Sequence, residues 1–143
     1  MKKICIIGVG YVGLTLGVVL ADRGFEVVGY DVNKDMVRKL QNGEQTFYEK
    51  DMDILLKKYM NKNFKVTNKI INESFDAFII SVGTPFDNKA ERPILDQLIN
   101  GTKEVTAMLT DDSLVIVRST VPVGATRGVV KPLLDKTGKS CII

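Results

Sequence analysis

Residues 4–31 constrain the fold of this chain more than any other stretch of its sequence. They begin with an uncharged apolar run at residues 4–7, which leads directly into the glycine-rich sequence GVGYVG at residues 8–13. A longer apolar segment follows, and a second short apolar run ends at the acidic Asp31. This order predicts a strand, a tight turn, a helix and a second strand.

The glycines and Asp31 match the GxGxxG fingerprint of dinucleotide-binding units, with the acid eighteen positions after the last glycine. Gly8 permits the tight turn, Gly10 lets the backbone approach a pyrophosphate, and Gly13 lets the helix lie close to the sheet. The free N–H groups at the start of the helix would face the phosphates. Asp31 would accept hydrogen bonds from the adenine ribose and repel a 2′-phosphate, which favours NAD over NADP.

The same stretch has an alternative interpretation as a signal peptide or a short membrane span. Residues 4–21 carry no charge and follow Met1, Lys2 and Lys3. Four glycines within that run make it a poor apolar helix, and the run is barely long enough to span a bilayer.

Composition limits the function classes. The 143 residues are 45% hydrophobic and 26% charged, which suits a single domain over residues 1–143. The net charge of +3 is mild and dispersed, so neither nucleic acid nor a membrane surface is a predicted partner. The chain has no histidine, and we predict no metal site. Cys5 and Cys141 lie in apolar runs, where buried free thiols indicate a reducing, cytoplasmic setting.

Strands and helices are predicted to alternate along the chain. The predicted strands are residues 4–7, 26–30, 64–67, 77–82, 114–117 and 140–143. The predicted helices are 11–23, a segment capped by Asn33 or Asp35 that runs to 40, 51–60, 94–109 and 126–136, with a helical turn at 68–75 and a kink or late helix start at Pro132. The predicted loops are 43–49 and 83–93. This pattern predicts an α/β, Rossmann-type fold, a doubly wound parallel sheet of about six strands in the order 3-2-1-4-5-6, with helices on both faces.

In that topology, ligands bind beyond the carboxyl ends of the strands, where strands one and four diverge. Strand four leads into SVGTP at 81–85, and strand five leads into RSTVPVG at 118–124. Thr84 and Thr120 would therefore bring hydroxyls, and Gly83 an unobstructed backbone, towards one cofactor. Taken singly, these segments are also typical of an ordinary turn and of a helix cap.

Together, GVGYVGL (8–14), YD (30–31), SVGTP (81–85) and RSTVPVG (118–124) resemble the N-terminal NAD-binding domain of the UDP-glucose/GDP-mannose dehydrogenase family. The resemblance spans essentially the whole chain. It implies an enzyme that oxidises the 6-hydroxyl of a nucleotide sugar to a carboxylate with two NAD+. The later motifs look closer to the UDP-glucose and GDP-mannose branch than to the N-acetylmannosamine branch.

The resemblance also implies roles for particular residues. Thr120 would stand near the reacting carbon and orient water or substrate, a supporting role and not that of the nucleophile. The residues expected to bind NAD are Gly8, Gly10, Tyr11, Val12, Gly13, Asp31, Lys34, Val82, Gly83, Thr84, Pro85, Ser119 and Thr120.

The sequence departs from the family pattern at three points. Met36 stands where the family often has a basic residue, and Lys34 is the candidate replacement. The usual Glu-Pro-Gly is Glu49-Lys50-Asp51 here. The nucleophilic thiol, the catalytic lysine and the sugar-nucleotide domains of the family lie beyond residue 143. We therefore expect a domain of a longer, dimeric or higher oligomeric enzyme, able to bind NAD but not to turn over a nucleotide sugar.

Two other functions are compatible with the first motif. A stand-alone regulatory module of potassium transport explains residues 8–13 and Asp31 but gives no reason for SVGTP and RSTVPVG. A 3-hydroxyacid or 6-phosphogluconate dehydrogenase shares the first motif and lacks the later pair.

Overall fold

The computed structural model of this chain describes residues 2–69 and 73–143. The strands are β1 Lys3–Ile7, β2 Glu26–Tyr30, β3 Phe64–Thr67, β4 Ala77–Ile80, β5 Phe86–Asp87, β6 Arg92–Pro93, β7 Ser113–Val117 and β8 Cys141–Ile142. The helices are α1 Tyr11–Asp22, α2 Lys34–Gln41, α3 Met52–Tyr59, α4 Asp96–Met108 and α5 Lys131–Asp135, with a π-helical turn at Thr126–Val130 directly before α5. The part of the predicted helical turn that falls on residues 70–72 lies outside the described residues.

The main sheet is parallel and has the strand order β3-β2-β1-β4-β7-β8. This confirms the predicted doubly wound, Rossmann-type fold and its strand order. Ile7, at the end of β1, pairs with Tyr30 of β2 on one side and with Ile80 of β4 on the other. The carboxyl ends of these three strands therefore meet at one rim. This is the topological switch point, because β2 and β3 lie on one side of β1 and β4 lies on the other.

Two apolar clusters cover the two faces of the sheet, and β1 contributes to both. Ile4 and Ile6 pack with the buried side chains of α1, α2 and α3. Cys5 and Ile7 pack with those of α4 and α5. A strand that is buried on both faces carries a continuous apolar run, which is the pattern of residues 4–7.

The signal-peptide alternative is wrong, because residues 4–21 form β1, the glycine turn and most of α1 within this core. Among the described helices, none combines the length and the apolar character that a membrane crossing requires. Both cysteines are free thiols; Cys5 is buried and Cys141 is half-buried. Burial raises the pKa of the Cys5 thiol to about 12.

The structure differs from the predicted elements mainly around residues 81–96. The predicted loop at 83–93 contains the hairpin formed by β5 and β6, in which Phe86 pairs with Pro93. Helix α4 begins at Asp96 and not at residue 94. The Ile94 N–H is still part of the hairpin, because it donates to the carbonyl of Pro85 at 2.7 Å. Strand β4 ends at Ile80, whose carbonyl accepts from the N–H of Arg118 at 2.9 Å.

Local chemistry explains the ends of two helices. Of the two predicted caps for α2, Asn33 is the one observed, since its side chain accepts from the Met36 N–H at 3.1 Å. Pro132 lies in the first turn of α5, directly after the π-helical turn. Pro132 has no N–H to donate. The preceding turn is closed instead by the wider bond from the Lys131 N–H to the Thr126 carbonyl. The predicted helix 126–136 is therefore divided into a π-helical turn and α5, with the change beside Pro132, where a kink or late helix start was predicted.

Candidate functional site

A cleft of about 440 Å³ opens at the carboxyl ends of β1, β2 and β4. Its position is the point where ligands bind in open α/β sheets. The residues that line it are Ile7, Gly8, Gly10, Tyr30, Asp31, Val32, Ser81, Val82, Gly83, Gln97, Asn100, Gly101 and Glu104.

The glycine loop, residues 8–13, forms one wall of the cleft, and its three glycines meet different constraints. Gly8 has a φ of +91°, and a Cβ placed on it would lie 2.7 Å from the carbonyl oxygen of Ser81. A Cβ on Gly13 would overlap the carbonyl oxygen of Gly8. Gly10 has open space around its Cβ position and caps α1 without a side-chain hydrogen bond. The first turn of α1 therefore presents backbone N–H groups beside an unfilled space.

Asp31 joins the end of β2 to the glycine loop. Its Oδ2 atom accepts from the Val9 N–H and its Oδ1 atom accepts from the Asn33 N–H, both at 2.9 Å. A carboxylate has about four acceptor positions. Two of them therefore remain available to hydroxyl groups in the cleft, which is the role predicted for this residue.

Two further segments, which we call the exit loops, follow β4 at residues 81–85 and β7 at residues 118–124. Side-chain hydroxyls link them in both directions. Ser119 Oγ donates to the carbonyl of Val82 at 2.7 Å, and Thr84 Oγ1 donates to the carbonyl of Thr120 at 2.6 Å. The Thr84 hydroxyl is thus already used as a donor within the protein.

The sequence of residues 2–142 matches the description "UDP-glucose/GDP-mannose dehydrogenase family, NAD binding domain". The chain belongs to this family.

Relatives of known name support this assignment to the NAD-binding domain. A UDP-N-acetyl-D-mannosamine dehydrogenase from Campylobacter jejuni is 35% identical over 94% of this chain and 33% of its own length. The structure of the corresponding enzyme from Pyrococcus horikoshii has a TM-score of 0.90 at 30% identity, covering 97% of this chain and 33% of the other. A ternary complex of GDP-mannose dehydrogenase from Pseudomonas aeruginosa has a TM-score of 0.88 at 28% identity, covering 98% and 33%. The chain thus spans about a third of the length of these relatives.

The predicted cofactor-binding residues divide into two groups in this NAD-binding domain. The residues that line the cleft are Gly8, Gly10, Asp31, Val82 and Gly83, with Gly13 directly beneath the glycine loop. The residues that lie outside it are Tyr11, Val12, Lys34, Thr84, Pro85, Ser119 and Thr120.

Tyr11 points away from the cleft towards the loop that precedes α3. Its hydroxyl donates to Glu49 Oε2 at 2.5 Å, and its ring lies 4.7 Å from the ring of Phe47. The hydrogen bond to the Glu49 carboxylate raises the pKa of the Tyr11 phenol. Met36 packs against the core, while Lys34 is exposed at the start of α2. A cofactor contact by Lys34 remains a prediction.

The sequence analysis missed the wall of the cleft that α4 provides. Gln97, Asn100 and Glu104 line the cleft from this helix, together with Tyr30 at the end of β2. A signal for them is present in the sequence, because these polar residues recur at helical spacing beside the buried positions Leu98 and Val105. Burial raises the pKa of the Tyr30 phenol, and the nearby Glu104 carboxylate raises it further.

The cleft of this NAD-binding domain contains no thiol among its lining residues. Cys5 is enclosed within the sheet, and Cys141 lies on β8 at the far edge. In residues 2–69 and 73–143, no cluster of side chains is arranged to hold a metal ion. The described cleft residues therefore offer binding groups at the rim, and neither thiol is among them.

Proposed function

We propose that this domain holds NAD for a nucleotide-sugar 6-dehydrogenase. The pyrophosphate would lie against the glycine loop, the adenine ribose on Asp31, and the nicotinamide half along the exit loops towards Thr84 and Thr120. The observation that carries the proposal is the arrangement of Asp31, bound to the Val9 N–H at 2.9 Å, beside the open space at Gly10. Backbone N–H groups and a carboxylate acceptor both face this part of the cleft, which supports a phosphate and its ribose there.

The reaction we propose for the longer enzyme proceeds in two oxidations at the sugar C6 atom. Overall, the sugar CH2OH group, one water and two NAD+ would give a carboxylate, two NADH and three protons, with water supplying the second carboxylate oxygen. In this scheme, Thr120 supports the reaction by orienting water or substrate. A covalent thiohemiacetal route would need a thiol, and the described cleft residues do not include one. We therefore propose that these 143 residues bind NAD+ without turning over a sugar.

The substrate class we propose is a hexose linked to UDP or GDP. The SVGTP and RSTVPVG motifs favour UDP-glucose or GDP-mannose. The relatives include UDP-N-acetyl-D-mannosamine dehydrogenases as well as a GDP-mannose dehydrogenase, so they do not select one branch. We further propose a cytoplasmic, homodimeric or higher oligomeric enzyme that supplies precursors for polysaccharide biosynthesis. Two free thiols support the reducing setting.

Calorimetric titration of the 143-residue chain with NAD+ tests the binding proposal. The Gly10→Val variant places a side chain where no protein atom lies within 4 Å, so it should fold and lose NAD+ binding by filling the phosphate position. The matched control is Gly128→Val, because Gly128 also has open space and lies far along the chain from the cleft. Gly128→Val should bind NAD+ like the unmodified chain. Unchanged binding by a folded Gly10→Val variant would contradict the proposed phosphate position.

A second measurement tests the expected lack of turnover. The chain is incubated with NAD+ and either UDP-glucose, GDP-mannose or UDP-N-acetylmannosamine, and NADH is followed by its absorbance. No NADH should accumulate above a protein-free control. Sustained NADH formation would show that a nucleophile or base is present where we propose none.

A further inference from the structure

The α4 wall of the cleft carries a polar stripe that the proposed function leaves unused. Gln97, Asn100 and Glu104 lie one helical turn apart along it. Gly101, on the same side, brings the helix close to the sheet, since a Cβ there would lie 3.2 Å from both Ile7 Cγ2 and Val82 Cγ1. This close approach lets the polar stripe of α4 form part of the cleft wall.

The polar stripe lines the same cleft as Asp31, so a ligand bound at Asp31 can also reach the stripe. On the proposed function, the pyrophosphate lies at the glycine loop and the ribose at Asp31. The next part of the molecule is the adenine base. The cleft that Asp31 lines also carries the apolar residues Ile7, Val32 and Val82, which suit the faces of a planar ring. The polar stripe would then meet the edge of that ring.

The three polar side chains differ in what they can distinguish. Gln97 and Asn100 are amides, which both donate and accept hydrogen bonds. The Gln97 oxygen also lies against the backbone of Gly83, where a Cβ would be 2.8 Å from it. Glu104 is half-buried, and an ionised carboxylate only accepts. The Tyr30 phenol lies near Glu104, and burial together with this carboxylate raises the pKa of Tyr30.

We propose that Glu104 selects adenine by accepting a hydrogen bond from the 6-amino group of the base. This inference rests on the proposed binding of NAD and assigns base specificity within the same cleft. Hypoxanthine carries a carbonyl oxygen in place of the amino group, and its N1–H donor lies one ring position away. Its carbonyl lone pairs would therefore face a carboxylate held opposite the 6-position. A site built to accept from a donor discriminates strongly against a ligand that lacks it.

The test compares NAD+ with nicotinamide hypoxanthine dinucleotide by calorimetry on the 143-residue chain. The unmodified chain should bind NAD+ at least about tenfold more tightly. Glu104→Gln introduces an amide that can serve either base, and the preference should fall to within about threefold. The matched control is Asp96→Asn, which makes the same acid-to-amide change on the exposed first turn of α4. Asp96→Asn should keep the full preference.

The outcomes separate this inference from the proposed function. Equal binding of the two dinucleotides by the unmodified chain would overturn the inference while leaving NAD binding intact. A preference that persists in a folded Glu104→Gln variant would overturn it as well. If neither dinucleotide binds, the proposed function is wrong and the role of Glu104 is wrong with it. The comparison on the unmodified chain needs no variant, so it holds even if Glu104→Gln does not fold.

Discussion

The glycine loop and the exit loops lie on the same rim of the sheet but are held by different forces. The glycine loop is fixed by close packing of backbone on backbone, since Cβ atoms on Gly8 or Gly13 would strike neighbouring carbonyl oxygens. The exit loops are fixed by two hydroxyl groups, one from Ser119 and one from Thr84. Steric exclusion tolerates no substitution, whereas a hydrogen bond near the surface contributes a modest amount.

This difference predicts how the two regions respond to the smallest possible changes. One added methyl group should disrupt the glycine loop. One removed hydroxyl should only weaken the contact between the exit loops. The region with the strictest packing is also the one whose motif is easiest to read in the sequence, because only glycine satisfies it.

The largest effect is expected for Gly13→Ala. Its Cβ would overlap the Gly8 carbonyl oxygen, so α1 must move away from the loop, and the free energy of unfolding should fall by about 3 kcal/mol. Urea denaturation measures this change. The control Gly128→Ala, in open space, should change the free energy by less than about 1 kcal/mol. A Gly13→Ala variant as stable as the unmodified chain would refute the close packing of α1 on the loop.

A smaller effect is expected for Ser119→Ala. The variant removes the donor to the Val82 carbonyl and should lower the free energy of unfolding by about 1 kcal/mol. Ser140→Ala is the control, because Ser140 is exposed and its hydroxyl makes only long contacts of 3.3 and 3.4 Å; it should cost less than about 0.5 kcal/mol. Equal costs for the two variants would mean that Ser119 does not hold the exit loops together.

A still smaller effect on stability is expected for Thr84→Val, which keeps the shape of the side chain and removes its donor to Thr120. Thr84 is half-buried but its hydrogen bond to Thr120 is open to solvent, so the free energy of unfolding should fall by about 0.5 kcal/mol. Thr84→Ser retains the hydroxyl and should restore the stability. Calorimetric titration of the same two variants with NAD+ tests whether Thr84 supports binding through its bond to Thr120. If it does, Thr84→Ser should keep the affinity of the unmodified chain, and Thr84→Val should bind NAD+ a few-fold more weakly.

The smallest effect lies at the opposite end of the sheet and concerns pH. The Lys3 N–H donates to Asp76 Oδ2 at 2.7 Å, and this bond lowers the pKa of Asp76 from its ordinary 3.8. A lowered folded pKa gives stability that is present above the ordinary value and is lost as the pH falls through the folded value. Asp76→Asn should therefore flatten the decline in stability below about pH 4. NAD+ affinity should stay unchanged, since Asp76 lies away from the cleft; a changed affinity would argue against the assignment of the site to the other rim.

Most of the fold is predictable because its signals are local. The strands β2 and β3 have the predicted limits, and the glycine turn lies between a strand and a helix as residues 8–13 indicate. The hairpin of β5 and β6 was not predicted, because two-residue strands at Phe86 and Arg92 leave no periodic pattern. Its existence depends on where the Pro85 and Ile94 backbones meet, which is a tertiary contact.

The candidate site was predictable only where backbone geometry demands a residue type. Gly8, Gly10 and Asp31 belong to one local unit, so their positions follow from the motif. Glu104 lies far along the chain from the fingerprint and reaches the cleft because Gly101 lets α4 pack close to Ile7 and Val82. The hydroxyl of Thr84 bonds to the neighbouring loop, and no local pattern distinguishes that partner from a cofactor.

The central claim is that Asp31 and the glycine loop form an NAD site, and cofactor preference tests it most directly. Calorimetric titrations of the chain with NAD+ and NADP+ should show NAD+ binding at least about tenfold tighter, or roughly 1.4 kcal/mol, because the Asp31 carboxylate repels a 2′-phosphate. Asp31→Ala should erase the ratio, whereas Asp35→Ala, which changes an exposed acid on α2, should leave it intact. Equal affinities of the unmodified chain for NAD+ and NADP+ would contradict the account.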